Sequence, residues 1–81
     1  MQLEILTPSQ NVFSGEVELV KVPGGNGSFE ILKNHAAIIS TLSDGELKVV
    51  TESGETLRYK IGGGVVEVKD NHVIVLAESI H

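Results

Sequence analysis

The sequence predicts an all-β fold: about eight to ten short strands packed as a β-sandwich or flattened barrel, with almost no helix. Three observations predict it. Apolar and polar residues alternate with period two in several short segments, as a half-buried strand requires. Turn-favouring residues separate those segments. No segment carries apolar residues at i, i+3, i+4 and i+7 over three turns, the pattern an amphipathic helix needs.

In chain order, "LEI" places Leu3 and Ile5 on one strand face. "VELVKV" starts with Val17 and Leu19 in phase and then shifts to Val20 and Val22. A one-residue shift exchanges the two faces, so a bulge or a change of sheet is expected there. "NHAAIIS" is the single helical candidate. Asn34 could cap one turn, but the β-branched Ile38 and Ile39 favour a strand. "LKVV" supplies Leu47 and Val49, and "VVEV" supplies Val66 and Val68. "LRYKI" is the clearest strand, with Leu57, Tyr59 and Ile61 alternating with Arg58 and Lys60. "HVIVLAE" is apolar on both faces and reads as a central strand. Asp44–Gly45, Ser53–Gly54 and Asp70–Asn71 read as tight turns with positive φ, so the last three strands are expected to form a meander.

With 81 residues, one domain over 1–81 is expected. Hydrophobic residues make up 41% and charged residues 21%, a globular rather than a disordered balance. Aromatic residues are only 4%, so Val, Ile and Leu must build the core. The net charge of −5, with six cations scattered among eleven acids, argues against a nucleic-acid surface. The chain has no cysteine, which excludes disulfides and thiolate chemistry. No apolar run approaches the ~20 residues of a membrane span, and Met1 leads directly into a strand pattern rather than a signal peptide.

The residues that could carry chemistry are few. "GGNGSFEILKNHAAII" joins a glycine cluster to a histidine. Gly24, Gly25 and Gly27 lack the GxxxxGK[ST] spacing and the following helix of a phosphate loop, so a glycine-rich turn is the expectation. His35, His72 and His81 have no metal-ligand spacing. Ser28 and Glu30 neighbour His35 in sequence but form no recognised nucleophile–base set. No metal, cofactor or small-molecule ligand is expected. Glu16 and Glu18 read as a solvated strand edge. Gly62–Gly64 strips side chains from a patch that either a neighbouring strand or a partner protein could approach.

"VFSGEVELVKVPGGNGSFEILKNHAAIISTL" resembles the signature of the epsilon subunits of bacterial rotary (F-type) ATP synthases. The resemblance rests on Phe13–Ser14–Gly15, Gly24–Gly27, Ile31–Leu32, His35–Ala36 and Ile38–Leu42. "YKIGGGVVEVKDNHVIVLAES" resembles a second signature of the same family, and together the two span essentially the whole chain. The implied fold is the ten-stranded β-sandwich of the family's N-terminal domain. The implied role is a non-catalytic rotor subunit of the central stalk, at the cytoplasmic face of the bacterial plasma membrane. It would link the gamma subunit to the polar loops of the c-ring and help couple proton flow to ATP synthesis.

Matched by motif, Gly24, Gly25, Asn26, Gly27, Ser28 and Phe29 would face the c-ring. Asn34, His35, Ala36 and Glu78 would face gamma. The family often places an acid directly after the loop glycine, where this chain has Ser28. Members commonly continue into an inhibitory helical hairpin that in some binds ATP. This sequence stops at His81, so neither property is expected of it, and either a naturally short form, which Met1 and the absence of a tag favour slightly, or a truncation is implied. A lipoyl- or biotinyl-type carrier, or another small β-sandwich interaction module, is the alternative. A carrier would need Lys33 or Lys69 at a hairpin tip, and neither has the flanking Met or acid.

Overall fold

The alternating segments fold as six strands in the computed structural model, which describes residues 1–81. They are β1 (Gln2–Leu6), β2 (Asn11–Gly24), β3 (Gly27–Leu32), β4 (Ile38–Thr51), β5 (Thr56–Lys69) and β6 (His72–Ala77). Their order in the sheet is β1-β6-β5-β4-β2-β3, and β1 also pairs with β2. The pairing of β1 with both β6 and β2 closes a five-strand circuit, whose members have no open edge along their paired lengths. β3 hangs outside the circuit on β2. β1 and β6 run parallel, from Gln2 opposite His72 to Leu6 opposite Leu76. The other pairings are antiparallel.

The all-β class is as expected, but there are six strands rather than eight to ten. β2, β4 and β5 are each 14 residues long. They bend without ending, so a turn signal inside them does not terminate a strand. The phase change in "VELVKV" is a bulge: the pairing of β2 with β4 slips between Val17 and Leu19. Val17, Val20 and Val22 consequently all point inward and are fully buried. Ser53–Gly54 and Asp70–Asn71 form the expected turns, with φ of 88° at Gly54, 51° at Asp70 and 60° at Asn71. Asp44–Gly45 does not turn. Both residues lie within β4, opposite Gly62 and Ile61 of β5. β4, β5 and β6 are the expected meander.

Sixteen buried apolar side chains fill the interior, Leu3, Ile5, Ile31, Leu47 and Ile61 being the largest of those that are almost fully enclosed. No buried polar side-chain atom lacks a partner. Tyr59 packs partly buried against this core. Burial, and secondarily the charge of Glu55, raises its phenol above the ordinary 10.0. The neutral phenol is therefore favoured by folding. Its contribution to stability is complete below pH 10.0 and is lost as pH climbs through the raised folded-state value. Tyr59 is the only tyrosine, so phenolate absorbance reports it alone. Thermal melts on the alkaline side should fall less steeply for Tyr59→Phe than for the parent chain.

The three glycines of "GGG" serve the neighbouring strand. Gly63 and Gly64 adopt φ of 81° and 150°. β6 and the residues after it lie directly over them: Glu78 donates its backbone N–H to the Gly63 carbonyl at 3.1 Å, and Gly62 donates to Ser79 at 3.1 Å.

Candidate functional site

The outward faces of the barrel differ in character. Across β2, β4 and β5, Lys21, Lys48 and Arg58 stand in register. Arg58 pairs with Glu46 at 2.7 Å, and both are exposed. That face is charged and solvated, and a surface ion pair of this kind adds little stability.

The face formed by β4, β5, β6 and β1 carries several apolar side chains, with Thr41, Glu67 and Glu4 interspersed among them. Thr41, Val65, Leu76 and Leu6 make one cross-strand row. Ile39, Glu67, Ile74 and Glu4 make the next. Leu76 is 50% exposed and Ile39 73% exposed, while Leu6, Val65 and Ile74 are half-buried. Two shallow depressions flank the rows. One, about 370 Å3, lies among Leu6, Pro8, Val65, Leu76 and Glu78. The other, about 490 Å3, lies among Ala37, Ile39, Glu67 and Lys69. Apolar side chains set side by side on a sheet exterior mark a protein contact more often than a free surface.

The glycine segment adjoins this face. Gly24 is buried at the end of β2, Gly25 and Asn26 form the two-residue turn, and Gly27, Ser28 and Phe29 open β3. Gly25 to Ser28 are exposed, whereas Phe29 packs half-buried against the core. Gly25 donates its N–H to the Thr41 carbonyl at 3.2 Å, so the tip is tied to the start of the Thr41–Val65–Leu76–Leu6 row.

Asn34, His35 and Ala36 lie in the connection from β3 to β4. Asn34 has φ of 65°. Its N–H donates to Asn71 Oδ1 at 2.6 Å, and Asn71 Nδ2 donates to Asn34 Oδ1 at 3.0 Å. These two hydrogen bonds to the Asn71 side chain fasten the connection to the β5–β6 turn. His35 Nδ1 lies 2.7 Å from the Ala36 carbonyl. Glu78 lies past the opposite end of β6. Asn34–Ala36 and Glu78 are thus separated by the length of a six-residue strand, roughly 20 Å. The exposed apolar rows span the distance between them.

Replacing Asn71 by alanine removes both hydrogen bonds and places a β-carbon residue without a polar side chain at positive φ. A loss of about 2 kcal/mol is expected in urea unfolding. Asn71→Gly, which tolerates the dihedral, should lose about half of that.

Leu6, Ile39, Val65 and Leu76 were not apparent as site residues in the sequence, because an apolar residue in a strand reads as core. The available signal was "HVIVLAE", apolar on both faces. β6 is indeed central, between β1 and β5. Its inner residues Val73, Val75 and Ala77 are buried, and Leu76 on its outer side is exposed.

Over residues 1–81 the chain matches the family described as ATP synthase, Delta/Epsilon chain, beta-sandwich domain. It is 41% identical over 78 residues to the ATP synthase epsilon chain of Pelotomaculum thermopropionicum, covering 96% of this chain and 58% of that relative. To the ATP synthase epsilon chain of Chlorobaculum tepidum it is 37% identical over 78 residues, covering 96% of this chain and 89% of that relative. The chain therefore spans a little over half the length of the first relative and most of the second. The fold is shared with a chain of the Euglena gracilis mitochondrial ATP synthase, from a cryo-EM structure of OSCP/F1/c-ring in rotational state 1. The TM-score is 0.91 at 23% identity, over 98% of this chain and 51% of that one. A chain of the Tetrahymena thermophila mitochondrial ATP synthase, central stalk and c-ring, matches with a TM-score of 0.83 at 21% identity, over 100% of this chain and 65% of that one.

Proposed function

Because the chain belongs to the ATP synthase delta/epsilon β-sandwich family, we propose that it is a non-catalytic subunit of the rotor's central stalk. It docks on the gamma subunit through the apolar exterior of β4, β5, β6 and β1, between Asn34–Ala36 at one end and Glu78 at the other. The glycine tip Gly24–Phe29 rests on the polar loops of the c-ring. In that position, peripheral to the cytoplasmic side of the membrane, it helps transmit torque between proton flow and ATP synthesis.

The observation that carries this reading is the set of apolar side chains Leu6, Ile39, Val65, Ile74 and Leu76 in two adjacent rows of the outer sheet face, with Leu76 and Ile39 exposed. A closed barrel needs no apolar exterior for its own folding. A partner covering these rows would recover the hydrophobic free energy they forgo in water, about 25 cal/mol for each Å2 buried. The tip bordering the same rows lets one domain touch two partners at once.

Titration calorimetry with the matching gamma subunit tests the reading. Binding tighter than about 10 μM with a negative heat-capacity change is expected. Heat-silent mixing, with the two proteins eluting separately in gel filtration, rejects gamma docking. Pull-down on purified c-ring tests the second contact.

A further inference from the structure

We propose that Asn26 is a self-modifying site, at which the tip of the β2–β3 hairpin converts an amide to a carboxylate without an enzyme. The backbone nitrogen of Gly27 attacks Asn26 Cγ. A nitrogen–carbon bond forms, the Cγ–Nδ2 bond breaks, and ammonia leaves with the proton from the Gly27 amide. The resulting five-membered imide is opened by water at either carbonyl. The product is an aspartyl or a β-linked isoaspartyl residue at position 26. No oxidant or reductant takes part.

Contrast among the four asparagines of the chain carries the assignment. Asn71 Oδ1 accepts from the Asn34 backbone N–H at 2.6 Å and Asn71 Nδ2 donates to Asn34 Oδ1 at 3.0 Å, so both side chains are held, and each residue precedes a histidine. Asn11 lies in β2 and precedes the β-branched Val12, whose side chain shields the attacking nitrogen. Asn26 alone precedes glycine, is exposed, and has no side-chain hydrogen bond. A β-carbon built on Gly27 would meet nothing within 4 Å, so its nitrogen has open space on that side. The attack requires the Asn26–Gly27 peptide to rotate out of the turn. A solvent-exposed two-residue tip between glycines opens locally at little cost, in contrast to the strands behind it.

The six residues Gly24 to Phe29 carry no charge. Conversion puts a negative charge at their centre, and the β-linkage adds a backbone atom to the turn that Gly24 and Gly27 close. Resting on the docking role proposed for the tip, this makes contact with the c-ring depend on the age of the chain.

The test incubates the full chain at mildly alkaline pH, folded and in urea, with peptide mapping and isoaspartyl methyltransferase labelling over time. In the folded chain, conversion at Asn26 is expected within about tenfold of the unfolded rate, while Asn34 and Asn71 are protected far more strongly. N26Q should abolish the isoaspartyl label in the peptide that carries position 26, while label arising at the other asparagines and at Asp44–Gly45 maps to other peptides. Protection of Asn26 equal to that of Asn71 overturns the proposal, as does a label in the position-26 peptide that persists in N26Q. Binding of N26D and N26Q to c-ring is measured separately. Different affinities support the dependence on age. Equal affinities overturn that dependence and leave the modification to be decided by the mapping alone.

Discussion

A chain carrying Gly64→Val should fail to hold its native sheet under conditions in which the parent is folded. Gly64 has φ of 150°, where a side chain is strained whatever the space around it. A β-carbon there would overlap the Leu76 carbonyl oxygen and press on Ala77 Cα at 3.0 Å. Both obstacles are backbone of β6, which is held in register with β5 on one side and β1 on the other. Neither can swing aside as a flexible side chain would. Left-handed strain of about 1–2 kcal/mol and over-packing of about 1–3 kcal/mol combine to roughly 2–5 kcal/mol. That is a large share of the 5–15 kcal/mol typical of a domain, and corresponds to a melting temperature lower by roughly 10 °C or more. Circular dichroism during thermal and urea unfolding measures it. A midpoint within error of the parent would show that β6 can shift away from β5. Gly64→Ala should fall between the two, because its single methyl lacks the branch that valine adds.

Leu76→Asp should leave the isolated chain almost as stable as the parent while weakening its complex with gamma by about 2 kcal/mol, close to thirtyfold. Leu76 is half exposed, so folding of the free chain gains little from it. In the proposed complex it occupies the middle of the row formed with Val65 and Leu6. A carboxylate there would be taken out of water against apolar neighbours with no counter-charge in the row. Lys48→Ser on the charged exterior serves as the comparison, and its affinity for gamma should match the parent's. Equal affinities for Leu76→Asp and the parent would place the gamma contact elsewhere on the barrel.

Much of the fold was legible because period-two patterning depends on one local choice, inward or outward. "LRYKI" reads correctly: Ile61 is buried, Leu57 and Tyr59 pack against the core, and Arg58 and Lys60 face solvent. The slip in "VELVKV" was legible for the same reason. Asp44–Gly45 misled because glycine after aspartate signals a turn only if the chain reverses there. Its actual cause lies across the sheet, where a β-carbon at Gly45 would stand 2.8 Å from Cβ of Pro23 in β2. Close approach from a distant residue leaves no trace in the neighbouring sequence. The strand count differed on similar grounds, since a bulge and a turn use the same residues and only long-range pairing distinguishes them.

The candidate site was half legible. The motif marked the glycine tip and the Asn34–Ala36 connection, and the structure ties each to a neighbour, Thr41 and Asn71 respectively. The apolar rows between them were hidden. Which of two alternating apolar sets faces outward is fixed by register with three other strands, and a single segment does not contain that information.

The parallel pairing of β1 with β6 sets an order of events during synthesis. β1 leaves the ribosome first and finds β2 soon afterwards, but its other edge has no neighbour until His72–Ala77 has been made. The closing contact joins the two ends of the chain and so has nearly the greatest sequence separation the molecule allows. Such contacts form slowly, because ordering of the intervening chain precedes the gain from pairing. Until then the emerging chain exposes an unpaired strand edge, the interval in which a nascent-chain chaperone would be of most use.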